Sequence, residues 1–493
     1  MAADTTTTDP ALASARELAA RIARRELSSR ELLEHFVRRI ERLNPPLNAV
    51  VTLDLERARA RADAADAALA RGESWGPLHG LPITVKDSFE TAGLRTTCGA
   101  PHHAEHVPER DAIAVQRLVD AGCVVFGKTN TPFLAGDVQT YNPVHGVTRN
   151  AWDPERTPGG SSGGAVTAVA CGLTAFELGS DLGGSIRTPC GWSGVYGLKT
   201  SHGVVPLRGH VPGPPGTLAE SDLGVVGPIA RDADDLELLL DVLAGPLPER
   251  AIAWRLELPP ARRTRLRDYR VAAWLDDPAY PVDAQVLERL SGTVDALRAA
   301  GVAVDDTARP AFALADAMRT YQRLLYAILA AGFPDEAFRR FVELAPSLPQ
   351  DAPDSFSRFV LFGTARHRDW LAANELRERF RRELARFFER YDVLLCPIVP
   401  VPAIAHDHSE PMTDRRITVN GESRPYFDLF AWISVASLTY APAVAAPIGA
   451  TPDGLPIGVQ IVGPYLEDRT PIDFARRLAD VVGGFVPPPR AVS

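Results

Sequence analysis

The chain has 493 residues, 45% of them apolar, enough to bury a large core. Its 53 Lys plus Arg against 62 Asp plus Glu leave a net charge of -9, which argues against a nucleic-acid surface and fits a small or neutral substrate. Cys98, Cys123, Cys171, Cys190 and Cys396 are scattered without a CxxC pair, which indicates neither a disulfide framework nor a zinc site. The Thr5–Thr8 run and the Arg-rich stretch after it hold no apolar leader core, and no run reaches the ~18 apolar residues of a membrane span, so a cytoplasmic chain is expected.

In chain order, residues 11–43 and 52–71 carry apolar side chains at three- and four-residue spacing and predict amphipathic helices, with Ser28 and Ser29 offering a helix start. Residues 81–87 predict a short strand with Lys86 near its end, 112–121 a helix and 124–127 a strand. A polar segment through Thr140, Asn142, Asn150 and Pro154 runs into the glycine-serine cluster 157–164. Residues 165–178 then predict a buried helix despite Gly172, and a second glycine cluster spans 179–187. Strands are expected at 224–229, 270–274, 302–305, 393–396 and 443–447, separated by helical patterns such as 283–300. Residues 311–389 are almost wholly helical and carry Tyr321, Leu325, Phe356, Phe359, Phe362 and Trp370. They predict a helical insertion in an otherwise alternating α/β chain.

Two features point to chemistry. Only three of the 53 cations are lysines, Lys86, Lys128 and Lys199. Arginine keeps its proton, so a neutral nitrogen base of this kind is sought among those three. The paired glycine clusters expose bare backbone, and successive N–H groups in such a nest stabilise an oxyanion. A phosphate loop would end in GK[ST], and both clusters lack that lysine; a GxSxG elbow is also absent, because Gly191-Trp192-Ser193-Gly194 continues to Val195.

The run 159–189, opening GGSSGG and closing GSDLGGSIRTP, resembles the amidase signature. Residues 80–87 resemble that family's lysine strand, 392–397 its late strand and 453–460 its C-terminal segment. The resemblance implies an α/β amidase signature fold over residues 9–488, a central mixed β-sheet flanked by helices on both faces. The aromatics of the insertion 311–389 read by default as its core, with a wall of the substrate channel as the sharper alternative. It assigns Ser185 as nucleophile, Ser161 as proton relay and Lys86 as base, at spacings of 75 and 24 residues that select Ser161 over Ser162. It also implies a cis peptide bond between Gly160 and Ser161, and an oxyanion hole from the N–H groups of Leu182, Gly183, Gly184 and Ser185.

Asp181 and Arg187 are spaced to brace the nucleophile loop as an ion pair. Residues 134–141 occupy the place where family members line the pocket, which makes Ala135, Gly136 and Asp137 substrate-binding candidates; Asp137 and Gln139 are read either as contacts to a polar amine part or as hydrogen bonds within the loop. Thr200 stands where the family frequently has proline. His102, His103 and His106 lack a further ligand, and Cys190 lacks an activating histidine and is read as apolar packing. No metal and no cofactor are expected. The reading is an amidase acting on a small amide-type substrate, with esters or carbamates as variants, a monomer or homodimer with neither nucleic acid nor membrane as partner. The alternative is an amidotransferase subunit of the glutaminyl-tRNA type, feeding ammonia to a partner.

Overall fold

The computed structural model describes residues 9–211, 213–352 and 354–492; the Thr5–Thr8 run lies outside them. The first helical stretch is two helices, α1 (Ala15–Ala23) and α2 (Ser29–Leu43). Ser28 starts α2 through a capping box: its hydroxyl accepts from the Glu31 N–H at 3.1 Å, and the Glu31 carboxylate accepts from the Ser28 N–H at 2.9 Å. β1 (Val50–Leu53), α3 (Leu55–Ala70), β2 (Pro82–Lys86), α4 (Ile113–Asp120) and β3 (Val124–Thr129) follow. The three strands form a small sheet in the order β1-β3-β2, with β2 and β3 parallel. A two-strand hairpin, β4 (Tyr141–Asn142) and β5 (Gly146–Val147), decorates the polar segment.

The helix expected over 165–178 is shorter. α5 (Gly163–Ala170) stops at a turn, and the chain re-emerges as β6 (Glu177–Asp181). Gly172 makes the turn at φ +62°, where a Cβ would stand 2.6 Å from the Ala11 carbonyl oxygen. Two buried arginines take the carbonyls that the broken helix exposes: Arg39 donates to those of Cys171 (2.7 Å) and Gly172 (3.0 Å), and Arg231 to those of Val169 and Thr174 (both 3.0 Å). Apolarity alone could not reveal this break, because strand and helix are equally buried here.

α6 (Arg187–Ser193), β7 (Tyr196–Lys199), β8 (Val225–Ala230), α7 (Ala233–Leu243), β9 (Arg270–Ala273), α8 (Ala284–Ala299) and β10 (Ala303–Asp305) continue the alternation. The segment expected to be helical contains α9 (Leu314–Ala330), α10 (Asp335–Leu344), α11 (Ser355–Gly363) and α12 (His367–Arg390). The chain then runs through β11 (Val393–Pro397), the hairpin β12 (Arg416–Val419) and β13 (Glu422–Pro425), α13 (Ala431–Leu438), β14 (Ala443–Ala450), β15 (Pro456–Val462), α14 (Arg469–Val482) and α15 (Pro489–Val492).

The main sheet has eight strands in the order β10-β9-β11-β15-β14-β7-β8-β6, parallel at the β10, β9, β11 end and antiparallel elsewhere. Side-chain alternation feeds two cores. Val444 and Ala446 join one with residues of α7, α8 and α14, and Ala445 joins the other with residues of α5, α6 and α9. β6, β7 and β15 are buried on both faces and so carry no polar-apolar alternation in sequence. Among the described residues no helix is long and apolar enough to cross a membrane.

The small sheet meets the large one at β2 and β6: the Thr84 N–H donates to Thr174 Oγ1 (2.9 Å) and the Thr84 hydroxyl to Glu177 Oε1 (2.5 Å). That junction brings the end of the lysine strand beside the second glycine cluster. Gly172→Ala is expected to cost about 1–3 kcal/mol, from the left-handed backbone and the clash with Ala11. A thermal melt checks it, and an unchanged midpoint contradicts this account of the turn.

Candidate active site

All three lysines are buried, so burial alone does not select a base. It pushes Lys86 down to about 7, Lys128 to about 8 and Lys199 to about 7. Partner type separates them. Lys199 Nζ donates to the carbonyls of Thr200 (3.0 Å) and Ala441 (2.9 Å). Lys128 Nζ donates to the Phe89 carbonyl (2.5 Å) and contacts the hydroxyls of Thr91 (2.9 Å) and Thr96 (3.2 Å). Lys86 Nζ instead meets three serine hydroxyls, Ser161 at 2.8 Å, Ser162 at 3.0 Å and Ser180 at 2.9 Å. A carbonyl can only accept, whereas a hydroxyl can also give a proton to the lone pair of a neutral amine. Of the three lysines, Lys86 alone has only hydroxyl partners.

Ser161 follows a cis Gly160–Ser161 peptide bond, as the resemblance implied. Its backbone is fixed as well: the Thr131 hydroxyl donates to the Ser161 carbonyl at 2.9 Å. The next residue reaches across to the second cluster, where the Ser162 N–H donates to the Ser185 carbonyl at 3.2 Å. This bond seats the Ser185 backbone beside the Ser161–Ser162 turn. Lys86 and Ser161 are buried, while Ser185 is half-buried, so of the three residues expected to react Ser185 is the one open to solvent.

The loop after β6 is held from beneath. Asp181 accepts from the N–H groups of Gly184 (3.0 Å), Ile186 (3.1 Å) and Arg187 (3.3 Å) and from the Arg187 guanidinium at 2.9 and 3.0 Å. Burial opposes the Asp181 charge, yet Arg187 and these bonds hold its carboxyl at about 2. Arg187 spends its remaining donors on the Ile433 carbonyl (2.8 Å), Gln460 Oε1 (2.5 Å) and the Ser437 hydroxyl (2.7 Å). Both side chains are fully buried, so loss of either partner would strand a charge at a cost of about 3–5 kcal/mol.

This geometry changes the expected oxyanion set. The Gly184 N–H is occupied by Asp181, so Gly184 is corrected from donor to hinge: it turns the chain at φ +85°, where a Cβ would stand 2.8 Å from Thr188 Oγ1. The N–H groups of Leu182, Gly183 and Ser185 have no acceptor among the described residues. Tyr321, reaching in from α9, donates its hydroxyl to the Leu182 carbonyl at 2.9 Å. Because a peptide unit is planar and trans, this points the Gly183 N–H the opposite way.

Ala135 is half-buried and Gly136 exposed in an irregular turn. The Asp137 carbonyl oxygen lies 2.7 Å from where a Cβ of Gly160 would stand, so this loop borders the Gly160–Ser161 peptide. The Asp137 carboxylate is taken by Arg415 (2.6 Å) and the Tyr426 hydroxyl (2.7 Å). Gln139 clasps the backbone of Asp407 from both amide ends, at 2.7 and 3.0 Å. Cys190 is free and fully buried, and burial raises its thiol well above the ordinary value. Among the described residues, His102, His103 and His106 join no group of three or more ligating side chains.

Sequence reasoning missed three contributors. Ser180 lies in the glycine cluster but had no role assigned, Tyr321 read as core of the helical segment, and His210, whose Nε2 is 2.8 Å from Ser180 Oγ, sits in an irregular loop with no motif to mark it.

The family model described as Amidase matches residues 31–471. The chain is 32% identical over 473 residues to a glutamyl-tRNA(Gln) amidotransferase subunit from Thermosynechococcus vestitus, covering 92% of this chain and 95% of that protein. Among solved structures it is similar to one described as an amidase (TM-score 0.77, 31% identity, 96% of this chain and 100% of that one). It is also similar to 6-aminohexanoate cyclic dimer hydrolase (TM-score 0.79, 27% identity, 98% and 99%). With the match spanning most of the chain over an α/β fold of the same kind, this protein belongs to the amidase signature family.

Proposed function

We propose that the chain is an amidase that hydrolyses carboxamides bearing an apolar, aromatic-sized group, through an acyl-enzyme on Ser185. The observation that carries this is Lys86, buried and ringed by hydroxyls, with the reachable Ser185 seated beside it. Neutral Lys86 takes the Ser161 proton while Ser161 takes that of Ser185. The Ser185 oxygen bonds to the carbonyl carbon, and the N–H groups of Leu182, Gly183 and Ser185 receive the oxyanion. Collapse breaks the C–N bond, and the relay run in reverse protonates the departing amine. Water, deprotonated by the same relay, then cleaves the ester and frees Ser185.

The substrate class rests on what borders the oxyanion loop. The Phe430 ring and the Tyr321 hydroxyl both lie 3.4 Å from a Cβ built on Gly183. From Phe430 a chain of ring contacts runs through Phe427 (5.5 Å), Tyr326 (6.1 Å), Phe359 (5.1 Å) and Phe341 (6.2 Å) to Phe356 (6.3 Å). Exposure rises from 6% at Phe427 to 38% at Phe356, so this apolar track ends at the surface. The helices of 311–389 thus supply one wall of the proposed channel, with Ala135 and Gly136 on the open loop beside the relay. A second reading, an amidotransferase component working with partner chains, is favoured by the relatives named as such at 32% identity. It needs glutamine, whose α-ammonium and α-carboxylate call for charged partners. The charges around the loop, Asp181 with Arg187 and Asp137 with Arg415, are already spent on each other.

Three outcomes are expected. A fluorophosphonate labels Ser185; labelling vanishes in Ser185→Ala and falls at least about 100-fold in rate in Lys86→Ala. Since the base works neutral and burial puts Lys86 at about 7, kcat/KM rises with pH through about 7 and levels above it. A profile flat between about pH 5 and 9 contradicts this assignment of the base. Anilides and aryl-acyl amides exceed glutamine in kcat/KM by at least about tenfold, and Phe430→Ala narrows that ratio. Faster ammonia release from glutamine, or activity gained only with a copurifying chain, selects the second reading.

A further inference from the structure

Lys86 has three hydroxyl neighbours, but a neutral primary amine has two N–H donors and one lone pair. Only one of the three serines can give its proton to that lone pair, and the relay works only if that one is Ser161. The other two must accept from Nζ, which requires their own protons to point elsewhere. The structure gives Ser180 such a direction: His210 Nε2 lies 2.8 Å from Ser180 Oγ, on the hydroxyl that stands 2.9 Å from Lys86 Nζ.

The imidazole is firmly held. A backbone bridge pairs His210 with Phe89, three residues beyond Lys86, the Val211 N–H donates to the Ser88 carbonyl at 2.7 Å, and the ring packs edge-on against Phe89 with centroids 4.9 Å apart. Burial and the Lys86 charge push His210 down to about 3, so the ring is neutral wherever the enzyme works and one of its nitrogens is an acceptor.

We propose that His210 is a positioning residue: its Nε2 accepts the Ser180 proton, turns the Ser180 oxygen toward Lys86, and so reserves the amine's lone pair for Ser161. This rests on the Lys86, Ser161 and Ser185 triad. Without the acceptor, Ser180 can give its proton to Lys86 in place of Ser161, forming a bond that favours the neutral amine but leads nowhere. Two consequences separate this from a packing role: turnover falls, and the acid limb of the pH profile moves down, because the charged ammonium needs all three hydroxyls as acceptors and the Ser180 proton then has no partner. The other charged or titratable groups facing Lys86 are Cys98, Glu177 and Asp181, and none of them is altered by the substitutions.

The experiment uses the full chain with an anilide substrate. His210→Phe, which keeps a ring against Phe89 but has no acceptor, is expected to lower kcat about tenfold with KM within about twofold, and to shift the acid limb to lower pH. His210→Gln, whose amide oxygen can accept, restores most of kcat. In a Ser180→Ala background the competing proton is gone, so adding His210→Phe or His210→Gln changes nothing further. Unchanged kcat in His210→Phe, an unmoved acid limb, or a His210 loss that persists in Ser180→Ala overturns the proposal. If His210→Phe fails to fold, as read from its melt, His210→Ala with and without Ser180→Ala decides: unchanged kcat, or a loss that persists without the Ser180 hydroxyl, overturns the proposal. Ser185→Ala is run alongside: retained activity there sinks the triad reading itself, whereas an inactive Ser185→Ala with an unaffected His210→Phe sinks only the role of His210.

Discussion

The constraint on which the site depends is the removal of Lys86 from water without a counter-charge against its ammonium. Its direct partners are three neutral hydroxyls, while Asp181 and Glu177 act on it from farther away. Asp181 gives its hydrogen-bonding capacity to Arg187 and the loop backbone. Glu177 is itself pushed up to about 7 by burial, so it offers little negative charge to hold a proton on Lys86. A carboxylate in the place of any of the three serines would return Lys86 to its charged form. In the proposed reaction the apolar core therefore takes part, since it sets the protonation state from which Lys86 would start.

Holding that arrangement takes two sheets and one ion pair. Thr84 ties the lysine strand to β6 at Glu177, and the strand that follows this tie ends in Asp181, the anchor of the loop that carries the proposed oxyanion donors. A buried ion pair is weak support for net stability, because desolvation offsets most of the attraction. Here Asp181 also collects three backbone N–H groups and Arg187 reaches α13 and β15, so the pair defines a loop shape that hydrophobic contacts would leave loose. Gly184 belongs to this arrangement: its N–H is surrendered to Asp181, and its left-handed turn leaves the neighbouring N–H groups free.

Much of this was legible in the sequence, for identifiable reasons. Lys86 stood out because so few lysines compete with it, and the glycine clusters because so many glycines in so short a run serve backbone exposure. The α/β alternation followed from amphipathic helices such as α2, whose face and capping box are local properties. Elements buried on all sides were less legible. β6 hid behind α5 because both are buried throughout and neither shows a polar-apolar period, and the turn at Gly172 depends on the distant Ala11 carbonyl. The Gly184 correction has the same origin: which N–H is free depends on where Asp181 points, and no spacing encodes that.

His210 and Tyr321 extend the point to function. Each reaches the site from outside the glycine clusters in sequence. One meets Lys86 through Ser180, and the other meets the oxyanion loop through the Leu182 carbonyl. A proton relay built from hydroxyls has an orientation problem that a histidine base lacks, because each hydroxyl can donate in several directions and a wrong choice idles the base. Neutral acceptors placed behind the relay solve that problem without adding charge, which the buried lysine could not tolerate. The same logic gives the helical segment a task besides that of the proposed channel wall: through Tyr321 on α9 it orients the Leu182–Gly183 peptide, which would couple that wall to the proposed oxyanion donors.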